Sequence, residues 1–466
     1  MHTRHLDKFK RQSLHINSSA NRKRLQWRFL LLLVGVFSFG FRYYYITHAE
    51  VFQPVNQENV RGDAVEYYAY ARNLTRHEVF SKAREGAMPL MSDSFRDPGY
   101  PIFLAGWMKF FSQWNNWYAA VLLSQALLSA LTVVLVMGLG RHWMPTWWLA
   151  AAGILMAVWP HGVVMSSYLL SETLFGFLCA LGLYLLRIAL DRRSRGWAVA
   201  SGVGLSLAAL TNAVLLPFAP LLALYMLGRR QLSITMFSSL VAATLALTIP
   251  WAIRNALLPS SDSSSTGRAL TNLVQGSQPL FQSAYQAAMA HDPGASAVLA
   301  ANDQETAITQ ANPMAGLALI RQRMASHPGE YIRWYLNKPA LLWSWSIRIG
   351  QGDFYVYPTR NSPFEINAAY RTVAAACHAL NPWIFLLAIA GCFLALMPKQ
   401  QANHGMAAAS LMLLFVTVVY SLLQAEPRYS VPFRGLEIML ATFAVYRASR
   451  GMTRVRMFAK VKCASL

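Results

Sequence analysis

The chain has 466 residues, 55% of them hydrophobic and only 13% charged, well under the ~25% charged that soluble globular proteins carry. That balance excludes an ordinary soluble domain and points to an integral membrane protein. The net charge of +21 does not mark a nucleic-acid binder, because the Lys and Arg residues gather between and beyond the apolar runs, where they report topology.

In chain order, a basic leader over residues 1–28 holds Lys8, Lys10, Arg11, Arg22, Lys23, Arg24 and Arg28 and precedes the first apolar run, Phe29 to Ile46. No small-residue cleavage site follows, so the run reads as a retained anchor with the leader in the cytoplasm. It delivers a first external loop, residues 50–98, to the opposite side. The next run, "GYPIFLAGWMKFF", is too short to cross a ~30 Å hydrocarbon layer and carries Lys109, so it is expected along the interface. Spans then fit Tyr118 to Gly140, Trp147 to Trp159, Thr173 to Leu190, Trp197 to Leu210, Val214 to Leu227 and Ile234 to Ile253, which puts "DRRSR" and "GRR" on the cytoplasmic side. These close an N-terminal transmembrane module over residues 29–253.

Residues 254–378 are rich in Ser, Asn and Gln, with helix propensity around Ala311 to Asn337 and one brief apolar piece, "PALLWSWSI". They read as a small, mainly helical extracytoplasmic and interfacial region. Pro382 to Leu396, Met406 to Leu423 and Val431 to Tyr446 form the C-terminal transmembrane helices, residues 379–446, and complete about ten spans. "PKQQ" and a basic tail, residues 447–466, then lie in the cytoplasm with the leader. Cys179, Cys377, Cys392 and Cys463 show no C-x-x-C spacing and no neighbouring His pair, which suggests neither zinc nor a disulfide framework.

The polar residues that carry chemistry collect outside the membrane. In "RGDAVEYYAYARNL", a helix starting near Asp63 would put Asp63, Tyr67, Tyr70 and Leu74 on one face with Glu66 beside it. Asp63 followed three residues later by Glu66 is also the pattern of a helix cap with its capping-box partner. A carboxylate facing a cavity at the membrane surface suits a general base. "SFRDPGYPIFLAG" closes the loop with Arg96, which either holds an anion or pairs with Asp97. "SSYLLSETLFGFL" places Glu172 at the outer end of a span, a depth at which acids usually face a cavity. Arg254 in "TIPWAIRNAL" and Arg428 in "QAEPRYSVPFRG", the latter flanked by Glu426 and Tyr429, stand on the outer side, where positive charge is disfavoured by topology and wants an anion. Guanidinium groups hold phosphate oxygens in bidentate fashion, and a lipid phosphate at the membrane surface is a natural anion.

Asp63, Tyr67, Ala71 and Leu74, then "RDPGYPIFLAG", "LLSETLF", "IPWAIRN", "HPGEYIRWYLNK" and "EPRYSVP", follow one another in an order that resembles the membrane-embedded glycosyltransferases of the GT-C class. The likeness is to the polyprenyl-phosphate-sugar-dependent group of protein O-mannosyltransferases and aminoarabinose transferases, glycosyltransferase family 39-like. It implies an all-α membrane protein whose first external loop forms juxtamembrane helices over the active site, and inverting sugar transfer from a polyprenyl (undecaprenyl) phosphate to an extracytoplasmic acceptor: protein, lipid A or glycan. Asp63 matches the catalytic aspartate and Glu172 a recurrent acid near the cavity. Arg254, Arg428, Lys338 and Arg96 are the candidates for the donor phosphate, and Glu66, Tyr67 and Tyr429 are expected to line the cavity. Two departures stand out. Asp63 is followed by Ala64 where many relatives have Asp-Glu, so the second acid that a divalent metal would use is missing and no metal is assigned. "LTNAVLLP" has Asn212 and Ala213 where relatives often carry Arg-Pro. The resemblance also implies a bacterial inner membrane with a periplasmic active site. A polysaccharide polymerase or ligase using lipid-pyrophosphate donors, and a lipid-linked-sugar transporter or flippase, are the competing readings; the latter would place its polar residues near mid-membrane.

Overall fold

The computed structural model describes residues 2–56, 62–87, 89–259, 264–289, 292–347, 353–397 and 404–464. Arg61, the "PKQQ" turn, and the basic side chains of the leader before Asn21 and of the tail beyond Gly451 lie outside the described residues.

Helices dominate, and a two-residue antiparallel pairing, Glu50–Val51 with Thr359–Arg360, is the one sheet among the described residues. Among the described residues six helices are long and apolar enough to cross a membrane: Asn21–His48, Trp114–Gly140, Glu172–Arg192, Ile234–Ala256, Ala368–Leu396 and Gly405–Leu422. A seventh candidate is a pair bent by 55°, Thr146–Val158 followed by Pro160–Ser167. Pro160 causes the break, since its ring removes an N–H and clashes with the preceding turn. Three further expected spans fall outside that set: Arg195–Thr211 of 17 residues, Phe218–Gly228 of 11, and Val431 to Tyr446, which begins in a 3-10 turn and continues in the helix Arg434–Ala464. At 1.5 Å per residue an 11-residue helix is roughly half the length of a hydrocarbon crossing. The run "GYPIFLAGWMKF" forms a separate 12-residue helix, Gly99–Phe110. The region after residue 259 is helical as well: Ser265–Ser277, Phe281–Met289, Pro293–Ala311, Pro313–Ser326 and Pro328–Leu342.

Small residues set how closely the bundle packs, as expected where the surrounding lipid supplies no hydrophobic drive between helices. A Cβ on Gly204 would meet Gly182 Cα at 3.2 Å, which lets Glu172–Arg192 and Arg195–Thr211 run against each other. A Cβ on Gly176 would lie 3.0 Å from the Pro432 carbonyl oxygen. Gly176 therefore admits the 3-10 turn Pro427–Phe433 against the helix one turn beyond Glu172.

Two apolar clusters result. The larger fills the bundle with residues such as Met137, Leu183, Leu186, Leu222, Met412 and Phe443. The second lies under the first loop and joins Tyr45, Ala64, Tyr67, Ala71, Tyr100, Leu104, Trp117 and Tyr168. Ala64, Tyr67 and Ala71 are the inward stripe of the helix Asp63–His77, whose Tyr67 ring meets Tyr100 edge-on at 5.0 Å. That stripe fixes the rotation of the helix, and with it the direction of Asp63.

Candidate active site

Asp63 is the first residue of its helix. The cap position is Gly62, in an extended conformation, and no side chain caps it. The capping-box reading is thereby corrected: Glu66 and Asp63 direct their carboxylates at arginines instead. Arg96 Nη2 donates to Asp63 Oδ1 at 2.5 Å, and Arg96 Nε donates to Glu66 Oε2 at 2.5 Å. Arg428 Nη2 donates to the other oxygen, Asp63 Oδ2, and Arg428 Nε lies 3.0 Å from Glu172 Oε1 and 3.8 Å from Glu426 Oε1. Both oxygens of Asp63 are thus clamped, one by the first loop and one by the turn between the last two helices.

This clamp forms one wall of a cavity of about 690 Å³. Asp63, Tyr67, Arg96, Glu172, Arg428 and Tyr429 line it, together with Asn212, Ala213 and Tyr420. Its far wall comes from the helix Ser265–Ser277, which contributes Thr266, Arg268, Thr271 and Asn272. Arg268 Nη2 donates to Asp97 Oδ2 at 2.9 Å, and the same oxygen accepts the Ala213 N–H at 3.1 Å. Asp97 therefore pairs with Arg268 and not with Arg96. A guanidinium stands beside Ala213 after all, supplied from another helix.

Electrostatics follow from this pairing. Burial by itself would raise the Asp63 carboxyl, but the guanidiniums of Arg96 and Arg428 outweigh it and hold the group far below the usual carboxylate range. For Arg96 and Arg428 burial works against the charge, and Asp63 outweighs it, so both are held above their ordinary value. Each of the three lining arginines, Arg96, Arg268 and Arg428, already holds a carboxylate. An anion entering the cavity must therefore exchange with one of them.

Other sequence candidates lie elsewhere. Glu66 holds Arg96 but does not line the cavity. Arg254 points away from it: Nη1 donates to the Asp93 carbonyl at 2.6 Å, and the guanidinium lies over Trp251 at 4.8 Å. Lys338 is fully buried, with Nζ donating to the carbonyls of Gly276 at 2.7 Å and Leu423 at 2.6 Å. Neither lines the cavity, because the helices that carry them use each cation to tie off backbone carbonyls of neighbouring segments. Arg268 is the residue that sequence reasoning passed over. It stands alone in "STGRALTN", and the topology argument applied to Arg254 and Arg428, a cation on the outer side wanting an anion, applies to it equally. Among the described residues no three His, Cys, Asp or Glu side chains gather in an arrangement that could hold a metal ion.

No protein-family model matches the sequence, and no curated protein sequence matches it. Among solved structures, the archaeal oligosaccharyltransferase AglB from Archaeoglobus fulgidus, in complex with an inhibitory peptide and a dolichol-phosphate, matches over 95% of this chain with a TM-score of 0.52 at 14% identity. The match covers 52% of that protein, so this chain spans about half its length. ArnT from Cupriavidus metallidurans bound to undecaprenyl phosphate matches over 91% of this chain and 79% of that one, with 18% identity and a TM-score of 0.38. The likeness to the oligosaccharyltransferase shows the fold: a helical membrane architecture of the GT-C type.

Proposed function

We propose that the protein is a membrane glycosyltransferase that moves a sugar from a polyprenyl phosphate to an acceptor outside the cytoplasm, with inversion, and that Asp63 takes the acceptor's proton. The observation that carries this reading is the clamp itself: one carboxylate shared by two arginines on the wall of a 690 Å³ cavity. The fold likeness supports the class, since the matching oligosaccharyltransferase was solved with a dolichol-phosphate and an inhibitory peptide. The charge pattern of the loops fits a cavity on the face away from the cytoplasm, and the family resemblance suggests a bacterial inner membrane.

The chemistry needs two things. A phosphate leaving group must have its developing charge stabilised, and an acceptor must lose a proton as it attacks C1 of the sugar through an oxocarbenium-like transition state. The bond from C1 to the phosphate oxygen breaks, the acceptor–C1 bond forms, and polyprenyl phosphate departs on guanidinium groups. A doubly clamped Asp63 is a poor base. When the donor phosphate takes over Arg428, the freed oxygen of Asp63 regains basicity and turns to the acceptor. Donor binding thus switches the base on, and donor precedes acceptor. Arg428, Arg96 and Arg268 are the phosphate ligands in this scheme, and Arg254 and Lys338 leave it because they are committed to backbone carbonyls. Glu172 anchors Arg428.

The test supplies purified protein with short-chain polyprenyl phosphates carrying different sugars, plus acceptor-containing membrane extract, and follows release of polyprenyl phosphate. Release with a particular sugar, lost in Asp63→Asn, supports the reading; equal release by the variant sinks the base assignment. A lipid-pyrophosphate donor is the second reading, favoured by the third cavity guanidinium, Arg268. Turnover restricted to pyrophosphate-linked donors supplied in their place, read as release of polyprenyl pyrophosphate, decides for it.

A further inference from the structure

Beside Glu172 lies a second, smaller chamber of about 60 Å³. Glu172 lines both this chamber and the outer cavity. Its other polar walls are Arg42, Ser129, Thr132, Thr173, Arg434 and the indole of Trp159, whose buried Nε1 has no hydrogen-bond partner among the described residues.

Arg42 sits inside the first span and is buried. It makes no ion pair among the described residues. Its bonds go to neutral acceptors: Nε to Ser129 Oγ at 2.7 Å, and Nη1 to Ser38 Oγ at 2.7 Å, the Ser38 carbonyl at 3.0 Å and the Ala157 carbonyl at 2.8 Å. Nη2 takes part in none of these. A cation at such depth is expensive unless something polar answers it. On the same walls, Glu172 Oε2 and Arg434 Nε are buried and have no hydrogen-bond partner among the described residues. Glu172 is only 8% exposed.

The orphaned groups alternate in kind. Glu172 Oε2 needs donors, while Arg434 Nε and Arg42 Nη2 need acceptors. Water serves both at once, and the chamber's 60 Å³ exceeds the ~10–15 Å³ of accessible space that one water needs. A bare anion would satisfy the arginines and leave the carboxylate oxygen both unpaired and repelled. Around Glu172 the charged and titratable groups are Arg428 from the 3-10 turn and Glu426 at its cap, Asp63 and Tyr67 from the first-loop helix, Tyr100, Tyr357, and Tyr420 from the penultimate helix. Arg42 and Arg434 lie across the chamber.

We propose that this chamber is an internal hydration site whose waters bridge Glu172 Oε2 to Arg42 and Arg434, and that Arg42 is thereby a positioning residue for Arg428. The bridge draws part of the Glu172 charge inward. Arg428 is then held less tightly from behind and stays exchangeable for the donor phosphate. This rests on the donor reading above for its consequence, but not for the hydration itself.

The experiment measures binding of a short-chain polyprenyl phosphate to the full chain in lipid nanodiscs, in a double-mutant cycle of Arg42→Met and Glu172→Gln. With Arg42 intact, Glu172→Gln is expected to tighten binding, since one carboxylate fewer competes with the phosphate for Arg428. Arg42→Met alone is expected to weaken it about tenfold, near 1.4 kcal/mol. In the Glu172→Gln background the same change should shift binding less than about twofold, an effect of roughly 0.4 kcal/mol, and Arg42→Lys should restore most of the loss. Equal weakening in both backgrounds, the result for a merely structural arginine, overturns the proposal. A wild-type structure at a resolution that shows ordered water supplies an independent check that needs no folded variant: water peaks joining Glu172 Oε2 to Arg42 support it, and a dry chamber or a halide signal overturns it. Failure of the wild type to bind any polyprenyl phosphate refutes the donor reading instead, and the chamber density still decides the hydration.

Discussion

Arg428 and Arg434 stand in the same short stretch of chain, and both hold glutamates in a helical bundle, yet their surroundings differ. Arg434 and Glu437 are 3% and 1% exposed in their side chains and pair at 3.0 Å. Arg434 also donates to neutral oxygens of Asn381 at 3.1 Å, Trp343 at 3.2 Å and Ser344 at 2.6 Å. Such a guanidinium is fixed from several directions by groups that belong to the backbone or to other helices. Arg428, on the cavity wall, is surrounded by the carboxylates of Asp63, Glu172 and Glu426. A phosphate offers the same kind of oxygen as a carboxylate, so an arginine held by carboxylates beside open space can trade one for the other. What separates a structural arginine from a working one is whether its partners can be replaced from solvent.

The comparison can be broken most sharply at Asp63. Asp63→Asn should lower turnover by about three orders of magnitude, in the range of a lost general base. Donor binding by that variant should hold or tighten, because Arg96 and Arg428 no longer spend their charge on the carboxylate; a large loss of donor affinity measured by titration would argue against the exchange. Next in size, Arg434→Met should destabilise the fold by about 3–5 kcal/mol, the cost of leaving one partner of a buried pair unmatched. Unfolding in denaturing detergent reads this, and Arg428→Gln should lose clearly less. Arg428→Gln should instead weaken donor binding by roughly 10–100-fold, the worth of a charge-assisted hydrogen bond, with Arg268→Gln showing a smaller loss of the same kind.

The smallest effect concerns Lys338, which sharpens the same contrast for a cation that the cavity does not use. Burial pulls its ammonium down to about 7, from an ordinary value near 10.5. The unfolded chain therefore binds more protons between those limits, so stability rises as pH goes from 7 to 10.5 and the penalty is full below 7. The melting temperature should climb across that window, and the contribution should vanish in Lys338→Met. An identical slope in the variant would show that the buried amine does not set it.

Much of the architecture was written in composition and period. Apolar runs long enough to cross lipid and a bias of Lys and Arg to one side follow from the cost of taking charge and backbone out of water, and neither depends on which helix packs on which. The same reasoning singled out Asp63, Glu172, Arg96 and Arg428, because polar groups stranded at a membrane surface are conspicuous one at a time. Their partners were not legible. Asp97 follows Arg96 in sequence yet meets Arg268, far along the chain. Arg254 and Arg428 looked alike as outer-side cations, and one ties off a loop carbonyl while the other closes on Asp63. Arg42 lay inside the first apolar run without drawing notice, though it walls a chamber shared with Glu172.

The sequence by itself determined the solvent this chain lives in, the helical class and the side of the membrane on which its acids and arginines are expected, since each is a local property of hydropathy and charge. Tertiary structure alone decided which carboxylate meets which guanidinium. That depends on close approaches such as Gly176 against Pro432, which bring together residues hundreds of positions apart and so leave no pattern in any short stretch of sequence.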